Sequence, residues 1–190
     1  MQTAKHPGLS FLAADIALLV IAALPLLTLG QSNPSYSSTT SATSSNDSKF
    51  VIDAASGSMF EVKLGQLAQQ NGSSSAVKDF GRRMEQEHSK AGDELKHAAQ
   101  TVGVRVPTDL SKKDQARYDQ LAKLKGAQFD RAYARLMVKD HEMDVADFQK
   151  EAQIGHNDII KSFAQKTLPT LQSHLEQARS MERTVVGSTS

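Results

Sequence analysis

The chain has 190 residues, of which 39% are hydrophobic and 23% are charged, so one or at most two globular domains are expected. Its formal net charge of +1 offers no basic footprint for nucleic acid, and the absence of cysteine excludes disulfides, thiolate metal sites and cysteine nucleophiles. Only 5% of the residues are aromatic and Trp is absent, which favours packed helices over a β-sandwich.

The N-terminal segment, residues 1–30, has the pattern of a secretory signal peptide. Lys5 and His6 precede an apolar run from Ile16 to Leu29, and this run is too short to span a bilayer. The pattern therefore predicts a cleaved signal peptide. The alternative is an uncleaved N-terminal anchor, which would be the only route of membrane attachment that the sequence offers.

A linker is predicted at residues 31–48, which include the run SNPSYSSTTSATSSNDS. Such a segment buries too little apolar surface to offset the entropy of ordering it, so we expect a disordered tether. The folded domain is predicted to cover residues 49–184, and residues 185–190 are expected to form a frayed tail.

Helical spacing of apolar residues dominates the folded part. Asn71-Gly72 and Gly155 predict tight turns between two pairs of long helices. A connection of about two dozen residues joins the pairs, and Ser111 predicts a short helix within it. The predicted helices run from about Lys49 to Gln70, from the Ser73–Ser75 cap to Val102, from Ser111 to Lys125, from Ala127 to Ile154 and from Asp158 to Arg183.

The long connection decides between two kinds of helical bundle. Simple up-and-down bundles use short loops, whereas a connection of this length crosses from one end of a bundle to the other, as in ferritin-like folds. The prediction is therefore all-α, a ferritin-like four-helix bundle with a long connection that contains a short helix. In that topology the second and third long helices run parallel.

A repeated pattern of an acid followed by His occupies these two central helices. MEQEHSKAGDEL begins at Met84, and MVKDHEMDVADF repeats its frame 53 residues later, from Met137. At about 100° per residue, His88 and His141 each fall on the apolar face of their helix. The shared frame is explained by two parallel helices that present matched faces to one interior.

Each long helix carries at least one ionisable residue on its inward face. Carboxylates and imidazoles that converge in the core of a bundle are the ligands of iron, manganese and zinc. In the metal-binding hypothesis, the carboxylates supply oxygen ligands and the imidazoles supply neutral nitrogens. The predicted set is Glu61, His88, His141, Asp144 and His174.

Two alternatives to a simple metal-binding role stay open. In the first, the protein is a metal-dependent oxidoreductase that acts on peroxide or oxygen, which needs a second bridging carboxylate where the last helix has Leu171. In the second, the inward set is a buried hydrogen-bond network that fixes helix register in a structural or partner-binding bundle. The sequence names no protein partner, and a homo-oligomer stays open.

Four stretches in this order resemble the family catalogued as domain of unknown function 4142. They are FVIDAASGSMFEVKLGQLA, VKDFGRRMEQEH, FDRAYARLMVKDHEMDVADF and FAQKTLPTLQSHL, and the resemblance extends from Phe50 to about Met181. Glu87 stands where that family usually has Asp. The resemblance implies an exported bacterial protein with a ferritin-like bundle, and it implies no reaction, substrate or cofactor.

These observations predict a non-catalytic helical-bundle protein of the periplasm, the cell envelope or the secreted fraction. We expect it to bind a metal ion or a small ligand at the inward set and to serve in tolerance of envelope stress.

Overall fold

The structure is a computed structural model that describes residues 43–187. The predicted signal segment, residues 31–42 of the predicted linker and residues 188–190 of the predicted tail lie outside the described residues. Within the described part, the chain forms five α-helices and no strand, which confirms the all-α prediction. None of these helices is long and apolar enough to cross a membrane.

Every predicted helix is present, and three ends differ from the prediction by three or four residues; one of them is the end of the short helix, which lies at Ala122 and not near Lys125. The first helix begins four residues before Lys49, because Ser44 forms a capping box in which Asp47 N donates to Ser44 Oγ and Ser44 N donates to the Asp47 carboxylate. The last helix continues past Arg183, and Val185 is buried where a frayed tail was predicted. The helices are α1 (Ser45–Asn71), α2 (Ser75–Thr101), α3 (Lys112–Ala122), α4 (Gly126–Ile154) and α5 (Asp158–Gly187).

The two central long helices, α2 and α4, run parallel, as the long connection predicted. At one end, the Asp130 carboxylate near the start of α4 accepts hydrogen bonds from Ser73 N and Ser74 N, just before α2. At the other end, Leu95 of α2 and Phe148 of α4 belong to one apolar cluster. The chain therefore passes up through α1, down through α2, across by α3, down through α4 and up through α5.

Apolar side chains form two clusters, one toward each end of the helices. The first cluster includes Leu64, Met84 and Met137, and the second includes Leu95 and Phe148. On α2 and α4, the predicted inward histidines fall between these positions in the chain. The packing thus leaves a polar layer in the interior between two hydrocarbon layers.

The turn between α4 and α5 is tied to the start of α1 by a buried carboxylate. Asp47 is fully buried and accepts hydrogen bonds from the backbone N–H groups of His156 and Asn157. Glu151 lies beside it, and burial together with the negative charge of Asp47 raises the pKa of Glu151 to about 7. A carboxyl group with such a raised pKa holds its proton in the folded state near neutral pH.

We expect the free energy of unfolding to fall between about pH 4.5 and pH 7, because over that interval the folded chain holds a proton on Glu151 that the unfolded chain has lost. The stabilisation that protonated Glu151 contributes is present in full below the ordinary glutamate pKa of 4.5. It is lost as the pH rises through the Glu151 pKa of about 7 in the folded chain. Urea denaturation at pH 5 and pH 8 measures the difference. Glu151→Gln should reduce it by about 1–2 kcal/mol, whereas Glu182→Gln should leave it unchanged. An equal pH dependence in wild type and Glu151→Gln would contradict this account.

Candidate metal centre

Four of the five residues predicted to face inward are buried side by side in the polar layer. Glu61 of α1 is 2% exposed, His88 of α2 is 5% exposed, His141 of α4 is 0% exposed and His174 of α5 is 2% exposed. Asp144 of α4 is half-buried. These positions place ionisable groups from four helices in one interior.

The Glu61 carboxylate lies between two of the histidines. Its Oε2 is 2.8 Å from His88 Nδ1, and its Oε1 is 3.4 Å from His141 Nδ1. Burial alone would raise the pKa of Glu61, but the imidazoles of His88 and His141 and the hydrogen bond from His88 outweigh it and lower the pKa to about 2. Glu61 is therefore ionised at neutral pH, and its Oε2 accepts a hydrogen bond from His88 Nδ1–H.

The hydrogen bonds of the other two histidines fix their tautomers. His141 Nδ1 is 2.9 Å from the Met137 carbonyl oxygen, which only accepts, so Nδ1 carries the proton. His174 Nε2 is 2.7 Å from Glu87 Oε2. Burial lowers the pKa of His174 to about 4, so the ring is neutral and donates Nε2–H to Glu87. In each of the three rings, one nitrogen thus has a partner and the opposite nitrogen is left for another.

These three opposite nitrogens, His88 Nε2, His141 Nε2 and His174 Nδ1, are buried and have no hydrogen-bond partner among the described residues. One ligand atom of each ring lies within 4.8 Å of those of the other two. The ring centroids form a nearly equilateral triangle with sides of 5.6, 5.3 and 5.4 Å. Three imidazoles bound to one ion at about 2.0–2.1 Å have centroids roughly 5 Å apart at tetrahedral angles. The triangle matches the dimensions of a three-histidine metal site.

A second group of donors shares His141 with the first. Ligand atoms of Glu61, His141 and Asp144 also lie within 4.8 Å of one another. Burial, followed by the negative charges of Glu61 and Asp140, raises the pKa of Asp144 well above its usual value. The structure thus brings together all five predicted residues, as two overlapping sets.

Two polar residues beside the centre were not among the predicted site residues. Glu87 of α2 is one of them, and only the packing of α5 against α2 brings His174 to its carboxylate. Tyr133 of α4 is the other. Its hydroxyl is fully buried without a hydrogen-bond partner in the described part of the chain, and burial and the charge of Glu61 raise the Tyr133 pKa. The spacing of residues along a single helix shows neither the contact between Glu87 and His174 nor the position of the Tyr133 hydroxyl beside the centre.

A small cavity of about 30 Å³, here called the side cavity, adjoins the centre. His88 and His174 form part of its wall. The rest of the wall combines six apolar residues, Ala54, Ala91, Leu95, Phe148, Phe163 and Leu171, with the hydroxyls of Ser58, Thr167 and Thr170 and the carboxyl groups of Glu61, Glu87 and Asp144. A volume of this size is enough for one or two water-sized molecules.

The helical fold and the buried histidines define an all-helical protein with an ionisable layer between two apolar layers. The chain belongs to the family described as Domain of unknown function (DUF4142), whose model matches residues 32–181. Its fold is similar to that of a DUF305 fragment from Deinococcus radiodurans, with a TM-score of 0.64 and 14% sequence identity, over 76% of this chain and 97% of that chain. No curated protein matches the chain.

Proposed function

We propose that this chain is an exported, non-catalytic protein that binds one transition-metal ion through His88, His141 and His174. The observation that supports this most directly is the triangle of imidazoles, each with a buried nitrogen that has no hydrogen-bond partner in the described part of the chain. A buried polar atom without a partner costs about 1–3 kcal/mol. A cation bound at the centre of the triangle would compensate all three at once.

The donor set favours a late first-row divalent ion. Neutral imidazole suits zinc, copper, nickel and iron, whereas manganese and magnesium prefer oxygen ligands. We therefore propose Zn²⁺ or Cu²⁺ ahead of manganese. Glu61 contacts the Nδ1 side of His88 and His141, so its role is to orient these two ligands and raise their basicity, as carboxylates behind metal-bound histidines do.

The ferritin-like bundle and export are parts of the same proposal. Two antiparallel hairpins with parallel central helices α2 and α4 and a crossing connection support the ferritin-like topology. The apolar run from Ile16 to Leu29 after Lys5 supports a signal peptide. The N-terminal sequence of protein recovered from the envelope fraction of a bacterial host tests cleavage.

Metal analysis of the full chain, purified without chelator and then equilibrated with Zn²⁺, tests metal binding. We expect about one ion per chain in the wild type and none in His88→Ala, because each imidazole is one of three ligands. Asp144→Ala should keep the ion. Absence of bound metal from every wild-type preparation would reject the proposal in favour of a hydrogen-bond network that fixes helix register.

Glu87→Ala is expected to weaken Zn²⁺ binding by about 10- to 100-fold, the usual effect of removing a hydrogen-bond partner behind a metal-bound histidine. Without the Glu87 carboxylate, His174 Nε2–H loses the acceptor that fixes its tautomer. Competition titration against a chromogenic chelator measures the change. Glu85→Ala is the matched control, because Glu85 contacts Gln66 and Gln69 at the surface. Equal losses in both variants would show that surface charge alone is responsible.

A further inference from the structure

We propose that the ion keeps one coordination position for an external ligand of two or three heavy atoms, held in the side cavity. This inference rests on the proposed function and names the class of molecule that the centre takes. Zinc and related ions are commonly four-coordinate, and sites with three protein ligands leave the fourth position to water or another small molecule.

No fourth protein donor completes the triangle of imidazoles in the described part of the chain. The group of ligand atoms within 4.8 Å of one another contains His88, His141 and His174 and no carboxylate among residues 43–187. Asp144 joins a different group, in which it meets only His141 of the three histidines. Glu61 is held on the Nδ1 side of His88 by a contact of 2.8 Å. The fourth ligand therefore comes from outside the protein.

The position of the side cavity gives that ligand a place beside the centre. Two of the three imidazoles, His88 and His174, form part of its wall, so a molecule in the cavity contacts the metal ligands directly. Leu171, one turn before His174, is 3% exposed and lies in the same wall. The oxidoreductase alternative needs a bridging carboxylate at this position. In the structure the Leu171 side chain instead limits the space beside His174.

The size and the lining of the side cavity define the class of ligand. A volume of about 30 Å³ is enough for one or two water-sized molecules, so an imidazole ring is too large. The carboxylates of Glu61 and Glu87 in the wall repel a multiply charged anion such as phosphate or sulfate, and the apolar side chain of Leu171 does not replace its lost hydration. The ligand is therefore a neutral or singly charged di- or triatomic molecule that donates a lone pair to the ion.

Cobalt substitution with azide as the probe tests this inference. Co²⁺ is added to the metal-free full chain, and the visible absorption bands of the bound ion are recorded during titration with azide and, separately, with imidazole. We expect azide to shift the bands with saturation and imidazole to leave them unchanged. Leu171→Ala, which enlarges the cavity, should admit imidazole. Ala91→Leu, which fills it, should raise the azide dissociation constant at least 10-fold while Co²⁺ still binds.

The outcomes separate this inference from the proposed function. If Co²⁺ binds and azide leaves its spectrum unchanged, a protein group occupies the fourth position and the inference fails while metal binding stands. An azide response of equal affinity in the wild type, Ala91→Leu and a second cavity-filling variant, Ala54→Val, would also overturn it. If Co²⁺ does not bind the wild type, both the proposed function and the inference are rejected.

Discussion

His141→Leu is expected to lower the affinity for Zn²⁺ by about 10²- to 10³-fold. Zinc sites with four ligands supply roughly 10–16 kcal/mol of binding free energy, and this loss corresponds to about one quarter of it. His141 is the one residue that belongs to both groups of potential ligands. Its side chain is fully buried on α4, so leucine of similar size fills the space without exposing the centre. Isothermal titration of the metal-free protein with Zn²⁺ measures the loss.

The same variant separates metal binding from a purely structural role. In metal-free protein, His141→Leu removes a buried Nε2 that has no hydrogen-bond partner among the described residues, but it also removes the 3.4 Å contact with Glu61 Oε1. We expect the two effects to offset each other and the variant to unfold at about the same urea concentration as the wild type. If the polar layer instead serves to fix helix register, the variant should be less stable by more than about 1 kcal/mol. His97→Leu, at an exposed position of α2, is the control and should change neither affinity nor stability.

Gly65→Ala is expected to destabilise the protein by about 3 kcal/mol, the upper range for overpacking, because α1 and α2 are in backbone contact at this position. A Cβ atom on Gly65 would overlap the carbonyl oxygen of Gly81 and lie 2.9 Å from Glu85 N. Backbone atoms of a helix cannot move aside as a flexible side chain does, so the helices must separate. The midpoint of urea denaturation measures the effect.

Gly57→Ala is the matched control in the same helix. A Cβ atom at Gly57 has Asp144 Oδ1 as its nearest neighbour at 4.0 Å, an ordinary contact distance. The variant should be more stable by about 0.5–1 kcal/mol, because glycine loses more backbone entropy than alanine in the interior of a helix. Similar stability of Gly65→Ala and wild type would show that α1 and α2 are not in backbone contact here.

Most helix ends could be predicted because the signals for them are local. Asn71-Gly72 and Gly155 stop two helices, and the spacing of apolar residues marks the faces of all the long ones. The start of α1 was missed because Ser44 and Asp47 form their capping box within a run of Ser and Thr that was read as linker. The buried end of α5 was missed for the opposite reason, since burial of Val185 depends on packing and not on composition.

The sequence by itself determined which residues turn inward. Helical periodicity places His88, His141 and His174 on the apolar faces of their helices, and an apolar face packs toward the core. Only the tertiary structure decided which nitrogen of each ring is free. That choice depends on Glu61, Glu87 and the Met137 carbonyl, and two of these three groups come from a different helix than the histidine they contact. The distances between helices, and hence the size of the triangle and of the side cavity, arise from packing that no single helix encodes.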